Sequence, residues 1–253
     1  GSELKALRRH PAFSGEIDRQ ALATFLKYQY VPGPESIYSG IRKLQPGCVL
    51  TLSLAQREPV LETYWSAIKQ AQAGVKNRFS GSPDEAVDVL ESLLGDAIGQ
   101  QMMADVPVGA FLSGGIDSST VVALMQKRSA RPVRSFAIGF DVPGFNEAIY
   151  AREVAQHLGT EHTELYVTPQ AALELVPRLP EFYDEPFADS SQIPTYLVSQ
   201  LARQQVTVSL SGDAGDELFA GYNTYAMAER FERIAASMPG FFRQFLAGGM
   251  EAL

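Results

Sequence analysis

Cysteine, long apolar runs and excess positive charge are scarce or missing in this chain of 253 residues. Its single cysteine, Cys48, excludes an internal disulfide and suits a reducing compartment, so we expect a cytoplasmic protein. No apolar run approaches the ~20 residues that a membrane helix needs, and no signal peptide opens the sequence. A membrane is therefore not an expected partner.

The charge balance excludes a second class of partner. Acidic residues outnumber basic ones by 29 to 21, and the formal net charge is −8. This argues against a nucleic-acid backbone as the main partner. Hydrophobic residues make up 45% of the chain, with 14 Phe and 10 Tyr, so a core can form and disorder is not expected. The length fits one large domain or two small ones.

The histidines and the cysteine give no catalytic pattern. His10 and His157 have no cysteine or carboxylate at a catalytic spacing, and we interpret both as surface or packing residues. His162 lies between a predicted helix and a predicted strand, where a packed, hydrogen-bonded role is the ordinary one. Cys48 lies in a predicted strand beside a Pro-Gly turn, which favours a buried structural thiol.

The sequence is organised around a short glycine-containing stretch. An apolar run of strand length, 108–112, ends in Ser113-Gly114-Gly115, and a helix-like run follows from Asp117. Free backbone N–H groups and the helix dipole at such a bend favour an anion such as phosphate. No Gly-Lys-Ser/Thr follows, so this is not a Walker loop. A carboxylate beside phosphate needs a cation between them, and Mg²⁺ is the usual one.

A second stretch repeats this form near the last predicted strand. Ser211-Gly212 is followed by three acidic residues, Asp213, Asp216 and Glu217, that open a helix. Dipole compensation is the ordinary role of acids there. The flanking glycines and the position at the same sheet edge favour a metal role instead. Two carboxylates from adjacent loops can hold one Mg²⁺ over phosphates.

The remaining pattern alternates strands with helices. This order predicts parallel strands in a sheet flanked by helices, with the ligand at the carboxyl ends of the strands. Ser82 and Glu85 form a capping-box pattern at the start of one helix. Asn146 can cap a later helix, which Gly159 stops. The predicted strands are 37–41, 48–54, 108–112, 133–140, 162–167 and 206–210, and the predicted helices are 18–28, 82–103, 117–127, 146–158, 169–179, 191–203 and 215–238.

The two loops together resemble the synthetase domain of glutamine-dependent asparagine synthetases of the B type. Ser-Gly-Gly-Ile-Asp-Ser-Ser alone resembles the pyrophosphate loop of all ATP pyrophosphatases, which cut ATP between its α and β phosphates. Segments 159–162 and 183–191 match the intervening family segments, and 44–47 and 64–65 resemble the tail of the family's glutaminase domain. The resemblance implies an ATP-pyrophosphatase fold (adenine nucleotide alpha hydrolase-like), preceded by a small α+β remnant of an Ntn-type glutaminase domain.

On this resemblance we expect three regions. Residues 1–66 would be the glutaminase remnant, 67–81 a linker, and 82–253 the first part of the synthetase domain. The family's glutaminase uses an amino-terminal cysteine, whereas this chain begins Gly1-Ser2, and the family supplies a phosphate-binding lysine from a segment beyond Leu253. The sequence therefore resembles a fragment, and the intact protein could be a homodimer.

The resemblance also implies a reaction. In the family, ATP activates a carboxylate as an acyl-adenylate and releases pyrophosphate; ammonia from glutamine then displaces AMP. Asp117 and Asp216 would hold Mg²⁺, and Asp213 would handle protons where asparagine synthetases that use aspartate often carry glutamate. The implied nucleotide-binding residues are Leu112, Ser113, Gly114, Gly115, Asp117, Ser118, Ser119, Ile138, Ser211 and Gly212.

The substrate and the reaction class stay open at this point. Aspartate is the leading carboxylate, and a sugar or peptide carboxylate is the alternative. A different ATP pyrophosphatase, such as an NAD or GMP synthetase, would share only the first loop. A non-catalytic fragment that binds nucleotide is the third hypothesis.

Overall fold

The computed structural model describes residues 1–55, 57–140 and 146–238. The α-helices are α1 (Leu4–Leu7), α2 (Arg19–Tyr28), α3 (Ala67–Lys76), α4 (Pro83–Gln101), α5 (Ile116–Arg128), α6 (Ala148–Leu158), α7 (Pro169–Leu175), α8 (Leu179–Phe182), α9 (Gln192–Ala202), α10 (Gly215–Phe219) and α11 (Asn223–Ser237). The strands are β1 (Cys48–Thr51), β2 (Val60–Thr63), β3 (Val108–Phe111), β4 (Arg134–Phe140), β5 (Glu161–Val167) and β6 (Val208–Leu210). None of the helices in these ranges combines the length and apolar character needed to cross a membrane.

The larger sheet has the strand order β5-β4-β3-β6. Strand β3 pairs in parallel with β4 on one side and with β6 on the other. Ala110 and Phe136, at the centre of this pairing, have no solvent exposure. The prediction of an α/β fold with a parallel sheet flanked by helices is confirmed. Because the strands run in parallel, the segments after β3 and β6 lie at one edge.

Helices α5 and α6 pack against each other beside this sheet. Helix α5 buries Val122 and Met125, whereas α6 buries three alanines, Ala148, Ala151 and Ala155. Helix α6 ends as predicted at Gly159, which adopts the left-handed backbone conformation that favours glycine. Its start differs from the prediction: α6 begins at Ala148, and the N-cap position belongs to Glu147, whose side chain makes no capping hydrogen bond, and not to Asn146.

The first 66 residues form a small mixed α and β region. Asp18 caps α2 by accepting hydrogen bonds from two backbone N–H groups, and Ala21, Val31 and Ile37 form a local core. The predicted strand 37–41 is wrong: only an isolated bridge joins Tyr38 to Ile17. Strands β1 and β2 form an antiparallel ribbon. In it Cys48 is partly exposed and lies 3.3 Å from Thr63 Oγ1, so its thiol is not buried as expected.

Three further predictions, for segments after residue 66, need correction. The segment 67–81, predicted as a linker, contains helix α3, because its alanine-rich sequence has high helix propensity and Ser66 caps it. The predicted helix 169–179 ends early at a 3₁₀ turn, Val176–Arg178, that contains Pro177. The predicted helix 215–238 is interrupted after Phe219 by Ala220, at φ +56°.

The described residues divide into two compact units. One contains residues 1–96, 140 and 165–201, and the other contains 97–139, 146–164 and 202–238. Within the first unit, Asp184 accepts a 2.6 Å hydrogen bond from the N–H of Leu4, and Glu185 accepts one of 2.8 Å from Ile37. The predicted boundaries at 66 and 82 stay a prediction, and residues 239–253 of the third predicted region lie outside the described residues.

The capping box at the start of α4 is confirmed. Ser82 N donates to Glu85 Oε2 at 2.7 Å, and Glu85 N donates to Ser82 Oγ at 3.3 Å. Ser82→Ala removes one of these bonds, and we expect the free energy of unfolding to fall by about 1 kcal/mol. Urea denaturation measures the change. The control is Ser80→Ala, outside the helix; an equal loss in both variants would contradict a capping role.

Candidate nucleotide-binding site

Both predicted loops follow neighbouring parallel strands. The first loop, residues 112–119, leaves β3, and the second loop, residues 211–222, leaves β6. Leu112 extends the pairing beyond β3 by donating its N–H to Phe136 O at 2.9 Å, and it is almost fully buried. Ile138, on β4, is half-buried. The sheet therefore brings the two loops to one edge.

The first loop is held closed by the hydroxyl of Ser118. This buried hydroxyl accepts a hydrogen bond from Ser113 N at 3.2 Å, lies 3.0 Å from Ser113 Oγ and donates to Gly115 O at 3.3 Å. It therefore shapes the loop from inside. The hydroxyl of the next residue differs: Ser119 Oγ is buried and has no hydrogen-bond partner among the described residues.

Gly114 fits the loop against helix α6. Its φ of +82° lies in the left-handed region, which side chains other than glycine rarely adopt. A Cβ at this position would lie 2.6 Å from Tyr150 Cβ and 2.7 Å from Ala151 N. The loop backbone therefore rests directly on the first turn of α6.

The second loop touches the first through two of its glycines. A Cβ on Gly212 would lie 2.6 Å from Ser118 N and 2.9 Å from the carbonyl carbon of Asp117. A Cβ on Gly215 would overlap the carboxylate of Asp117. The absence of side chains at these two positions lets the backbones of the loops pack against each other, with the Asp117 carboxylate at their junction.

The acidic side chains of the second loop have different environments. Asp213 is exposed, and its Oδ2 accepts a hydrogen bond from Ser211 Oγ at 3.0 Å. Asp216 is half-buried, with Oδ1 against Gly221. Tyr222 donates its hydroxyl to Glu217 at 3.0 Å. This hydrogen bond and the charge of Glu217 raise the pKa of Tyr222.

The donor set fits a Mg²⁺ ion shared with phosphate better than an all-protein metal site. No group of three or more His, Cys, Asp or Glu side chains that could hold a metal occurs in the described ranges. Mg²⁺ commonly uses only one or two carboxylates and takes its other ligands from water and phosphate. Asp117 and Asp216, on the two touching loops, can supply those two carboxylates.

Two family models match the sequence in separate regions. The asparagine synthase model matches residues 89–252, and the glutamine amidotransferase domain model matches residues 1–65. The first of these ranges covers more than half of the chain and contains both loops. The chain therefore belongs to the asparagine synthase family, as its motifs predicted.

Curated relatives share this sequence over most of its length. It is 35% identical to "Asparagine synthetase [glutamine-hydrolyzing] 1" of Bacillus subtilis, over 88% of this chain and 34% of that protein. It is 37% identical to "Putative asparagine synthetase [glutamine-hydrolyzing] 2" of Methanocaldococcus jannaschii, over 90% of this chain and 42% of that protein. The chain thus spans well under half of the length of these relatives.

Among solved structures, the NH3-dependent NAD synthetase from Campylobacter jejuni aligns with 54% of this chain and 60% of its own. The sequence identity is 16% and the TM-score is 0.39. This likeness is too loose to inform the function.

Sequence reasoning missed several contacts of the site. The support of Gly114 by Tyr150 and Ala151 joins residues that are far apart in sequence, and only the glycine hinted at a close approach. The hydrogen bond between Tyr222 and Glu217 joins residues five apart across the break after α10, and the prediction that 215–238 is largely helix did not locate this break.

The junction of the loops makes a testable prediction. Gly215→Ala places a methyl group in the space of the Asp117 carboxylate, so we expect weaker nucleotide binding and a free energy of unfolding lower by about 1–3 kcal/mol. Calorimetry and urea denaturation measure the two effects. Gly74→Ala is the control, because nothing lies within 4 Å of a Cβ at this position in helix α3, and there alanine should stabilise. Equal behaviour of the two variants would contradict the packing described here.

Proposed function

We propose that the two loops bind Mg·ATP and that the protein amidates a carboxylate at the expense of ATP, with release of AMP and pyrophosphate. The leading substrate is aspartate, which would give asparagine. The observation that carries the proposal is the contact between Gly215 and the carboxylate of Asp117, because it joins both acidic loops into one site. Family membership and the names of the relatives support the same reaction.

The charge of the loops supports a requirement for Mg²⁺. No lysine or arginine occurs between residues 107 and 126 or between 204 and 229, so these stretches offer a triphosphate no cation of their own. Asp117 and Asp216 would hold Mg²⁺, which would neutralise charge on the leaving pyrophosphate. The nearby backbone N–H groups at the start of α5 would bind phosphate oxygens.

The remaining predicted residues divide between the two ends of ATP. Ser113, Gly114 and Gly115, with the hydroxyls of Ser118 and Ser119, would surround the pyrophosphate. Of these, Ser119 has the buried, unpaired hydroxyl. The adenosine would lie over a second group of residues on the strand ends: Leu112, Ile138, Ser211 and Gly212.

The second half of the reaction needs ammonia and a proton acceptor. Asp213 is exposed at the mouth of the second loop, where its carboxylate could take a proton as ammonia attacks the activated carboxylate. The region 1–65 matches a glutamine amidotransferase domain, and we propose that glutamine is the source of the ammonia. A cytoplasmic location and a homodimer also stay predictions.

Removal of the Asp117 charge tests the metal role. We expect Asp117→Asn to weaken Mg·ATP binding at least about tenfold, because substitutions around a metal site commonly cost this much. Isothermal titration calorimetry with and without Mg²⁺ gives the affinities. The control is Asp88→Asn on the exposed face of α4, which should bind as the parent chain does. Equal affinity in EDTA, or equal binding by both variants, would refute the proposed role.

The products of ATP cleavage test the reaction class. The first loop would hold the leaving pyrophosphate and carries no lysine at its own end, whereas a loop with that lysine grips the β and γ phosphates and favours γ transfer. We therefore expect AMP and pyrophosphate. The measurement is ³¹P NMR with ATP, Mg²⁺, ammonium and aspartate, on a form of the protein that carries both matched family regions in full. Formation of ADP and inorganic phosphate instead would refute the proposed function.

A further inference from the structure

A second set of polar side chains lies between strands β4 and β5 and helix α6. Ser135 Oγ lies 2.8 Å from Thr160 Oγ1 and 2.8 Å from His162 Nδ1. The other ring nitrogen, Nε2, lies 3.4 Å from Glu164 Oε1. Arg152, on α6, donates its Nε to the same oxygen at 2.8 Å. We refer to these five residues as the His162 network.

The order serine, histidine, glutamate is that of a hydrolase triad, but the His162 network cannot act as one. Ser135 has no solvent exposure, and a nucleophile must be reached by the reacting atom. Ser135 is also the second residue of β4 and pairs with Ala110 of β3, inside the sheet. The His162 network therefore has a role in the structure of the protein and not in attack on a substrate.

The imidazole lies between a hydroxyl and a carboxylate. Its Nε2 is buried and has no hydrogen-bond partner among the described residues, although Glu164 Oε1 lies 3.4 Å away. A protonated ring is a donor at both nitrogens. Burial lowers the pKa of His162, the Glu164 charge opposes this, and Arg152 lowers the pKa further. The ring is therefore neutral at neutral pH.

Among the residues that the structure describes, two charged groups act on the imidazole: Glu164, on the same strand, and Arg152, on α6. Strand β4 presents the hydroxyl of Ser135, 2.8 Å from Nδ1, and a hydrogen bond with the backbone of Ser135 raises the pKa of His162. Arg134, next to Ser135, is engaged with Glu161 and with the carbonyl of Gln205 at 2.8 Å. Protonation of the ring therefore acts first on Glu164.

Helix α6 connects this network to the first loop. Arg152 directly follows Ala151, whose backbone N would lie 2.7 Å from a Cβ on Gly114. Tyr150, one residue earlier, makes the same close approach at 2.6 Å. In so tight a contact, a shift of α6 must change the shape of the loop.

We propose that the His162 network is a pH-sensitive device that positions α6 against Gly114 and so sets the affinity of the first loop for pyrophosphate groups. Protonation gives the ring a positive charge and makes both of its nitrogens donors, so Nε2–H attracts Glu164 Oε1. The Glu164 carboxylate already accepts from Arg152 at both oxygens, Nε on Oε1 and Nη2 on Oε2, so its movement toward the ring weakens the pair with Arg152. The effect on pyrophosphate rests on the function proposed above.

The direction of the pH effect follows from the lowered pKa of His162. At pH values between the pKa of His162 in the folded protein and the ordinary value of 6.5, the folded protein binds fewer protons than the unfolded chain. Stability that is present above pH 6.5 is therefore lost as the pH falls toward the pKa of the folded state. Affinity for pyrophosphate should fall over the same range, because protonation loosens α6.

Binding of Mg·pyrophosphate as a function of pH tests the proposal in three proteins: the parent chain, His162→Gln and His157→Gln. Glutamine keeps a donor and an acceptor but takes up no proton, so His162→Gln holds the network in its neutral form. His157 is the matched control, an exposed histidine on α6. Between pH 7.5 and pH 5.5, we expect the dissociation constant to rise about tenfold more in the parent and in His157→Gln than in His162→Gln.

The ligand and the two loops are the same in all three proteins, so the difference between variants isolates His162. Equal pH dependence in all three would overturn the proposal.

A second measurement needs no variant. In two-dimensional NMR of the parent chain, the amide signals of Gly114 and Ala151 should shift with the same midpoint as the His162 ring, and that of Gly74 should not. Amides of Gly114 and Ala151 that ignore the titration of His162 would overturn the proposal even if pyrophosphate binds. If those amides follow His162 but no pyrophosphate binds at any pH, the positioning of α6 stands and the proposed function fails.

Discussion

The site depends on the close approach of two backbones at the junction of β3 and β6. Gly212 lies against the peptide between Asp117 and Ser118, and Gly215 lies against the Asp117 carboxylate. A carboxylate packed this way is fixed in place by the fold before any ligand arrives. Because the two strands are neighbours in a parallel sheet, their loops meet at the edge where open α/β sheets bind ligands.

That arrangement concentrates negative charge where a polyanion would bind. Asp117, Asp213, Asp216 and Glu217 all belong to two loops that contain no lysine or arginine. Such a site is a poor receptor for phosphate alone, and a divalent cation reverses the balance.

Local sequence patterns predicted the elements of the fold well. The capping box at Ser82 and the stop at Gly159 depend on residues close in sequence, and the structure contains both. The prediction of a linker failed because the composition of 67–76 was considered without its helix propensity. This segment is polar and rich in alanine, and it forms α3. The N-cap position of α6 belongs to Glu147 and not to the predicted Asn146.

The contacts that shape the candidate site were not accessible to the same reasoning. The glycines at 114, 212 and 215 indicated bends in the backbone. Nothing in the sequence indicates that Tyr150 lies against Gly114 or that the Asp117 carboxylate lies against Gly215. The link from His162 through Glu164 to Arg152 likewise joins a strand to a helix by side chains alone. Such tertiary contacts depend on the packed fold, whereas the motifs depend only on spacing.

Hydrogen exchange measured by mass spectrometry tests most directly whether the two loops form one site. The chain is compared free and with Mg·ATP, and again with ATP in EDTA. The account predicts slower exchange in peptides that cover 113–119 and in peptides that cover 211–217, at the same ligand concentration and only with Mg²⁺. Protection confined to one loop, or protection that persists in EDTA, would contradict it.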